Sequence, residues 1–167
     1  MTRLLAIRPL FFLLFLATIA AMGFALFLQH VLQLEPCPLC ITQRVFVILV
    51  GFFALVAALF NPRGIGRRIF AFLCVASAAG GAAVAGRHVW LQSLPEDLAP
   101  ACGPSLEYML ETLPLSETFA LVMMGDGNCA ETVWTFMGLS IPQQTLILFA
   151  VLLLVSLYQL LRPRPAA

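Results

Sequence analysis

The chain has 167 residues, 62% of them hydrophobic and 10% charged, with nine basic side chains against eight acidic ones. This composition excludes an ordinary soluble domain, and the near-zero net charge offers no basic surface for nucleic acid. An all-α integral membrane protein is the class that remains.

Four apolar runs make up most of the sequence, at residues 9–29, 41–60, 69–86 and 143–161. At about 1.5 Å of helical rise per residue, each is long enough for a hydrocarbon core of roughly 30 Å. They predict a four-transmembrane-helix bundle forming one domain over residues 1–167, with too little chain left over for a second. The first run follows Arg3 and Arg8, as a secretory signal would. Its length, and the lack of a small-x-small site closing it, point to a retained span.

Charge sets the orientation. All nine basic residues are arginine, and seven fall in three short segments: Arg3 and Arg8; Arg63, Arg67 and Arg68; Arg162 and Arg164. All eight acids fall in the alternate segments, at Glu35 and from Glu96 to Glu131. The positive-inside rule then places both termini and the 61–68 loop in the cytoplasm. The loops at about 30–40 and 87–141 face outward.

The cysteines divide by location. Cys37, Cys40, Cys102 and Cys129 lie in the two outward segments, whereas Cys74 lies inside the third span and reads as a small buried apolar residue. Cys37-Pro38-Leu39-Cys40 stands directly before the second span. Closing so short a loop gains little chain entropy, so a C-x-x-C pair here points to redox chemistry rather than to a staple. Backbone N–H groups at the helix start, and Arg44 one turn beyond Cys40, favour a thiolate at Cys40 and make it a good leaving group. Cys102 and Cys129, some 25 residues apart, suit a redox role or an ordinary structural bridge. One C-x-x-C followed by two single cysteines is a poor metal pattern, and no metal site is expected.

Arg44 lies within an apolar span, where a charge marks function by default. At the outer end of the third span, His88 and Gln92 are four residues apart on one helix face and belong at the depth of Cys40 and Arg44. Trp90 beside them reads as an interface anchor. Such a polar cluster suits a quinone, a flat apolar ring with an oxygen at each end, whose developing negative charge a guanidinium stabilises. In the second loop, Pro104, Pro114 and Gly125-Asp126-Gly127 favour mobility. Leu115, Phe119, Val122 and Met123 recur at helical spacing and predict a short helix lying on the membrane surface or packed on the bundle.

With these residues the chain resembles the DsbB family of bacterial inner-membrane thiol oxidases. The matching segments are Gln29-His30-Val31, Glu35-Pro36-Cys37-Pro38-Leu39-Cys40, Gln43-Arg44, His88 with Leu91-Gln92, Asn128-Cys129-Ala130-Glu131 with Trp134, Gly138-Leu139 and Ile141-Pro142-Gln143. Their order and spacing span nearly the whole chain. The resemblance implies redox disulfides Cys37–Cys40 and Cys102–Cys129, and ubiquinone or menaquinone held near Arg44, His88 and Gln92. It further implies a periplasmic DsbA-like thioredoxin-fold partner, reoxidised with its electrons passing to membrane quinone. In that scheme DsbA attacks at Cys102, the freed Cys129 attacks Cys37, and Cys40 leaves as a thiolate. Pro38-Leu39 and Gly103-Pro104-Ser105 depart from the usual family forms, at the positions that set redox potential and partner docking. Vitamin K epoxide reductase relatives are also quinone-linked thiol enzymes, but their C-x-x-C belongs before the last helix. A scaffold with merely structural bridges is the remaining alternative, and it would have no need of Arg44.

Overall fold

The computed structural model describes residues 7–62, 64–95, 106–125, 127–130 and 132–162. In order they form α1 (Ile7–His30), α2 (Pro38–Phe60), α3 (Ile65–Gln92), α4 (Leu106–Thr112), α5 (Leu115–Met124), α6 (Gly127–Ala130), β1 (Thr135–Phe136), β2 (Leu139–Ser140) and α7 (Ile141–Leu161). Among the described residues, four helices are long and apolar enough to cross a membrane: α1, α2, α3 and α7. The fold is thus an all-α four-helix membrane bundle. Hydropathy alone marks 69–86 within α3. The helix continues past both ends of that run because Arg67, Arg68, Arg87 and His88 lower the apolar average without breaking the backbone pattern.

Helix boundaries follow local chemistry. At the start of α2, Cys37 is the N-cap, its sulfur accepting from the Cys40 N–H at 3.4 Å, and Pro38 opens the helix where no N–H is needed. The helix stops at Asn61, in the left-handed conformation (φ 43°), with Pro62 following. A capping box of Ser140 and Gln143 opens α7.

The bundle packs in a chain of neighbours, α1 on α2, α2 on α3 and α3 on α7. Its interior holds Phe11, Val50, Ala54, Ala71, Cys74, Ala78, Phe149 and Leu152. Small residues let the helices approach closely: a Cβ on Gly81 would overlap the Phe149 ring. Two polar side chains within the spans bond to their own helix, Thr18 to the Phe15 carbonyl and Ser156 to the Leu152 carbonyl, both at 2.7 Å. Large apolar residues such as Ile48, Phe52, Phe72 and Leu154 face outward, where lipid replaces water as the surroundings. At the end that carries Asn61, Arg8 Nε donates to the Ala58 carbonyl at 3.0 Å and Arg67 Nη2 to that of Arg162 at 2.7 Å.

At the opposite end, α4, α5, α6 and a β1–β2 hairpin cover the bundle. Met137 and Gly138, both with positive φ, form the hairpin turn, and Met137 is 88% exposed. The periodic stripe expected at 115–123 divides between two environments. Val122 packs with Leu39 and Leu91, whereas Leu115 and Phe119 (61% exposed) face away from the bundle. One face of this short helix therefore packs on the bundle while the other is exposed.

Candidate functional site

The start of α2, the C-terminal end of α3 and the short α6 converge. Cys37, as N-cap, and Cys40, one turn inside the helix, bring their sulfurs to 3.1 Å, with the Cys37 S–H donating. Both cysteines are partly buried thiols here, and a small approach would close the bridge. Cys102 lies outside the described residues, and with it the Cys102–Cys129 pair. Cys129, buried in α6, is not near the C-x-x-C by sequence, yet ligand-type atoms of Cys37, His88 and Cys129 all lie within 4.8 Å of one another.

His88 organises this cluster. It is 2% exposed, and its partner Gln43 is 3% exposed. The Gln43 amide nitrogen lies 3.1 Å from His88 Nδ1 and has only hydrogens to offer, so Nδ1 accepts. The ring proton is therefore on Nε2, which donates to the Cys129 carbonyl at 3.1 Å and faces Cys37 Sγ at 3.8 Å. Both ring nitrogens are engaged, so a metal ion would have to displace one of these bonds. Cys129 against Cys37 pulls that thiol down, but the Cys40 sulfur and burial outweigh it, and Cys37 is pushed from 9.0 up to about 12.

Arg44 is tied to the neighbouring helix. Its guanidinium bonds back to α1, to the Gln29 side-chain oxygen and, at 3.3 Å, to the Ala25 carbonyl. Gln92 accepts a 2.7 Å hydrogen bond from Ser140, tying α3 to the start of α7. Cys37, Cys40, Arg44, His88 and Gln92 all line one cavity of about 130 Å³, walled by apolar side chains including Met22, Leu28, Val47, Pro142 and Leu148. Trp134 closes one side, packed at 5.9 Å on Phe24 and stacked at 6.0 Å on Phe136. Few polar groups in an apolar wall are what a flat ring with polar edges requires.

Most of the residues singled out from sequence are thus brought together: Cys37, Cys40, Cys129, Arg44, His88 and Gln92. Gln43, Gln29 and Trp134 stand in segments that carry the family resemblance, but the sequence assigns them no role in the site. Gln43 and Gln29 carried one signal, an amide in or beside an apolar span, where each polar group needs a partner.

Residues 7–159 match the family model described as Disulfide bond formation protein DsbB. The Disulfide bond formation protein B of Hahella chejuensis is 54% identical over 142 residues, covering 85% of this chain and 86% of that one. Its namesake in Psychrobacter sp. is 51% identical over 166 residues (97% and 96%). Disulfide bond formation protein B 1 of Pseudomonas aeruginosa is 49% identical over 155 residues (93% and 95%). With a matched family model over nearly its whole length and four helices fit to cross a membrane, the chain belongs to the DsbB family of disulfide bond formation proteins.

Proposed function

We propose that the protein is a thiol:quinone oxidoreductase of the bacterial inner membrane, which reoxidises a periplasmic DsbA-like thioredoxin-fold protein. Both termini face the cytoplasm in this reading, and the cysteine-bearing loops face the periplasm, as the arginine distribution favours. The observation that carries it is Cys129 beside Cys37, whose sulfur in turn meets that of Cys40 at the wall of an apolar cavity that Arg44 also lines.

The resting enzyme has the disulfides Cys102–Cys129 and Cys37–Cys40. A DsbA thiolate attacks Cys102, and the electron pair of the broken bond leaves on Cys129. Cys129 attacks the Cys37 sulfur, forming the bond between them and expelling Cys40 as a thiolate at the cavity wall. A Cys37 thiol pushed up to about 12 is a poor leaving group, so exchange expels Cys40 rather than Cys37 from the C-x-x-C. The second DsbA thiol then resolves the mixed disulfide at Cys102, which releases oxidised DsbA. The freed Cys102 attacks Cys129, restoring Cys102–Cys129, expelling Cys37 and leaving Cys37 and Cys40 as the dithiol that gives up the two electrons.

Ubiquinone or menaquinone, when bound in the cavity, supplies the two-electron acceptor. Arg44, held by Gln29 and the Ala25 carbonyl, keeps a fixed positive charge where negative charge arises, at no cost in reorganisation. His88 and Gln92 contribute polar wall, and the apolar remainder excludes water.

The deciding experiment mixes purified protein in detergent with reduced DsbA and ubiquinone-1, following quinone absorbance and DsbA thiols together. Matched loss of both, abolished in Cys40→Ser and impaired in Arg44→His, is the expected result. No turnover with ubiquinone or a menaquinone analogue, with the disulfides intact, would leave a scaffold role instead.

A further inference from the structure

Two adjacent side chains of α3 grip the segment that carries Cys129 at both of its ends. Arg87 Nε donates to the Met123 carbonyl at 3.3 Å, and Nη2 to that of Met124 at 3.2 Å. These are last-turn carbonyls of α5, which lack partners within the helix and attract a cation. Six residues on, His88 Nε2 donates to the Cys129 carbonyl at 3.1 Å. Between the two grips, Gly125 has φ 79° and lies so close to α3 that a Cβ there would overlap Leu91 Cδ1. All three contacts come from one turn of a helix fixed in the bundle. Trp90, in the same turn, braces Arg87, whose guanidinium sits 4.2 Å from the ring centroid.

We propose that Arg87 and His88 form a clamp that docks the Cys129 segment on the bundle, and that they are positioning residues for exchange between Cys129 and Cys37. The inference rests on the proposed function, in which Cys129 attacks Cys37. In that step the S–S bond between Cys37 and Cys129 forms, the Cys37–Cys40 bond breaks, and its electron pair leaves on Cys40, with no net oxidation. The rate and equilibrium of such a step follow the local concentration of one sulfur at the other, which is set by how firmly the segment is held. Arg87 does this from carbonyls six and five residues before Cys129. His88 holds the backbone of Cys129 itself, with its proton placed on Nε2 by Gln43.

The test uses the full chain in detergent with Cys40→Ser, Cys74→Ser and Cys102→Ser, which leaves Cys37 and Cys129 as the only thiols. Equilibration in glutathione buffers converts the two thiols and oxidised glutathione to the protein disulfide and two reduced glutathiones, read by alkylation and mass. Arg87→Gln is expected to lower the equilibrium constant about tenfold, or roughly 30 mV for this two-electron couple. His88→Leu should lower it further, and Arg87→Lys should recover most of the Arg87→Gln loss. The companion background, with Cys74→Ser, Cys102→Ser and Cys129→Ser, reports the Cys37–Cys40 pair, whose equilibrium Arg87→Gln should leave in place. Equal shifts in both pairs would mean a general structural role and would overturn the clamp, as would an unchanged Cys37–Cys129 equilibrium in both variants. If that disulfide fails to form even with Arg87 and His88 intact, the exchange itself falls and the clamp with it. Quinone turnover is read separately and is not needed for any of these outcomes.

Discussion

The interior of the bundle and its outer end are both buried, but they are built on different terms. Between the helices, Phe11, Val50, Ala54, Ala78, Phe149 and Leu152 meet as apolar volume, and Thr18 and Ser156 bond to their own backbone. At the outer end, Leu39, Leu91 and Val122 surround Gln43, His88 and Cys129, whose hydrogen bonds run between different elements. Volume can be satisfied by many combinations of side chains, whereas a buried relay of donors and acceptors has few solutions. The interior therefore sets stability, and the outer end sets which groups meet.

The largest effect expected is chemical. In the reduced protein, Cys37 at about 12 should be about a thousandfold less thiolate at pH 8 than a thiol at 9.0, and should alkylate correspondingly slowly. The sign for stability follows: a raised value stabilises the reduced fold below pH 9, and that contribution is lost as pH rises toward 12. Pulsed alkylation across pH 7–11, read by mass, checks it, and a Cys37 rate that levels off near pH 8 would sink it. Next comes a break confined to the interior. Gly81→Val forces a side chain into the Phe149 ring and should cost about 3 kcal/mol in thermal unfolding, leaving the Cys37–Cys129 equilibrium of the folded fraction unmoved. A shift in that equilibrium would erase the distinction between the two regions. The smallest sharpens the outer end. Gln43→Leu removes the donor to His88 Nδ1 at nearly constant volume and should cost about 1–2 kcal/mol. Its particular signature is a mixed His88 tautomer in nitrogen NMR, where the native protein should show the proton on Nε2 alone. A single tautomer in the variant would show that Gln43 does not set it.

Legibility in the sequence was uneven for physical reasons. Cys37, Cys40 and Arg44 could be placed together because they lie within two turns of one helix, and His88 and Gln92 because four residues make one helical turn. The helix α3 runs beyond the apolar run at 69–86, since polar residues at its ends are excluded by an apolar average but welcome in a helix. The hairpin of Thr135–Phe136 and Leu139–Ser140 gave no strand signal, being two residues long on each side. The stripe from Leu115 to Met123 had a visible period but no visible partner. Only packing decides that Val122 turns inward and Phe119 does not.

What the sequence by itself determined is the number of spans, the class of protein and the segment in which each cysteine stands. Those depend on length, hydropathy and local charge, quantities that accumulate along the chain without reference to contacts across it. The tertiary structure alone decided that Cys129 faces Cys37, that Gln43 orients His88, that Gln29 receives Arg44, and that Arg87 reaches the end of α5. Each joins residues on different elements, and the rotation and depth at which helices meet follow from how their side chains interlock, which no period within one helix encodes.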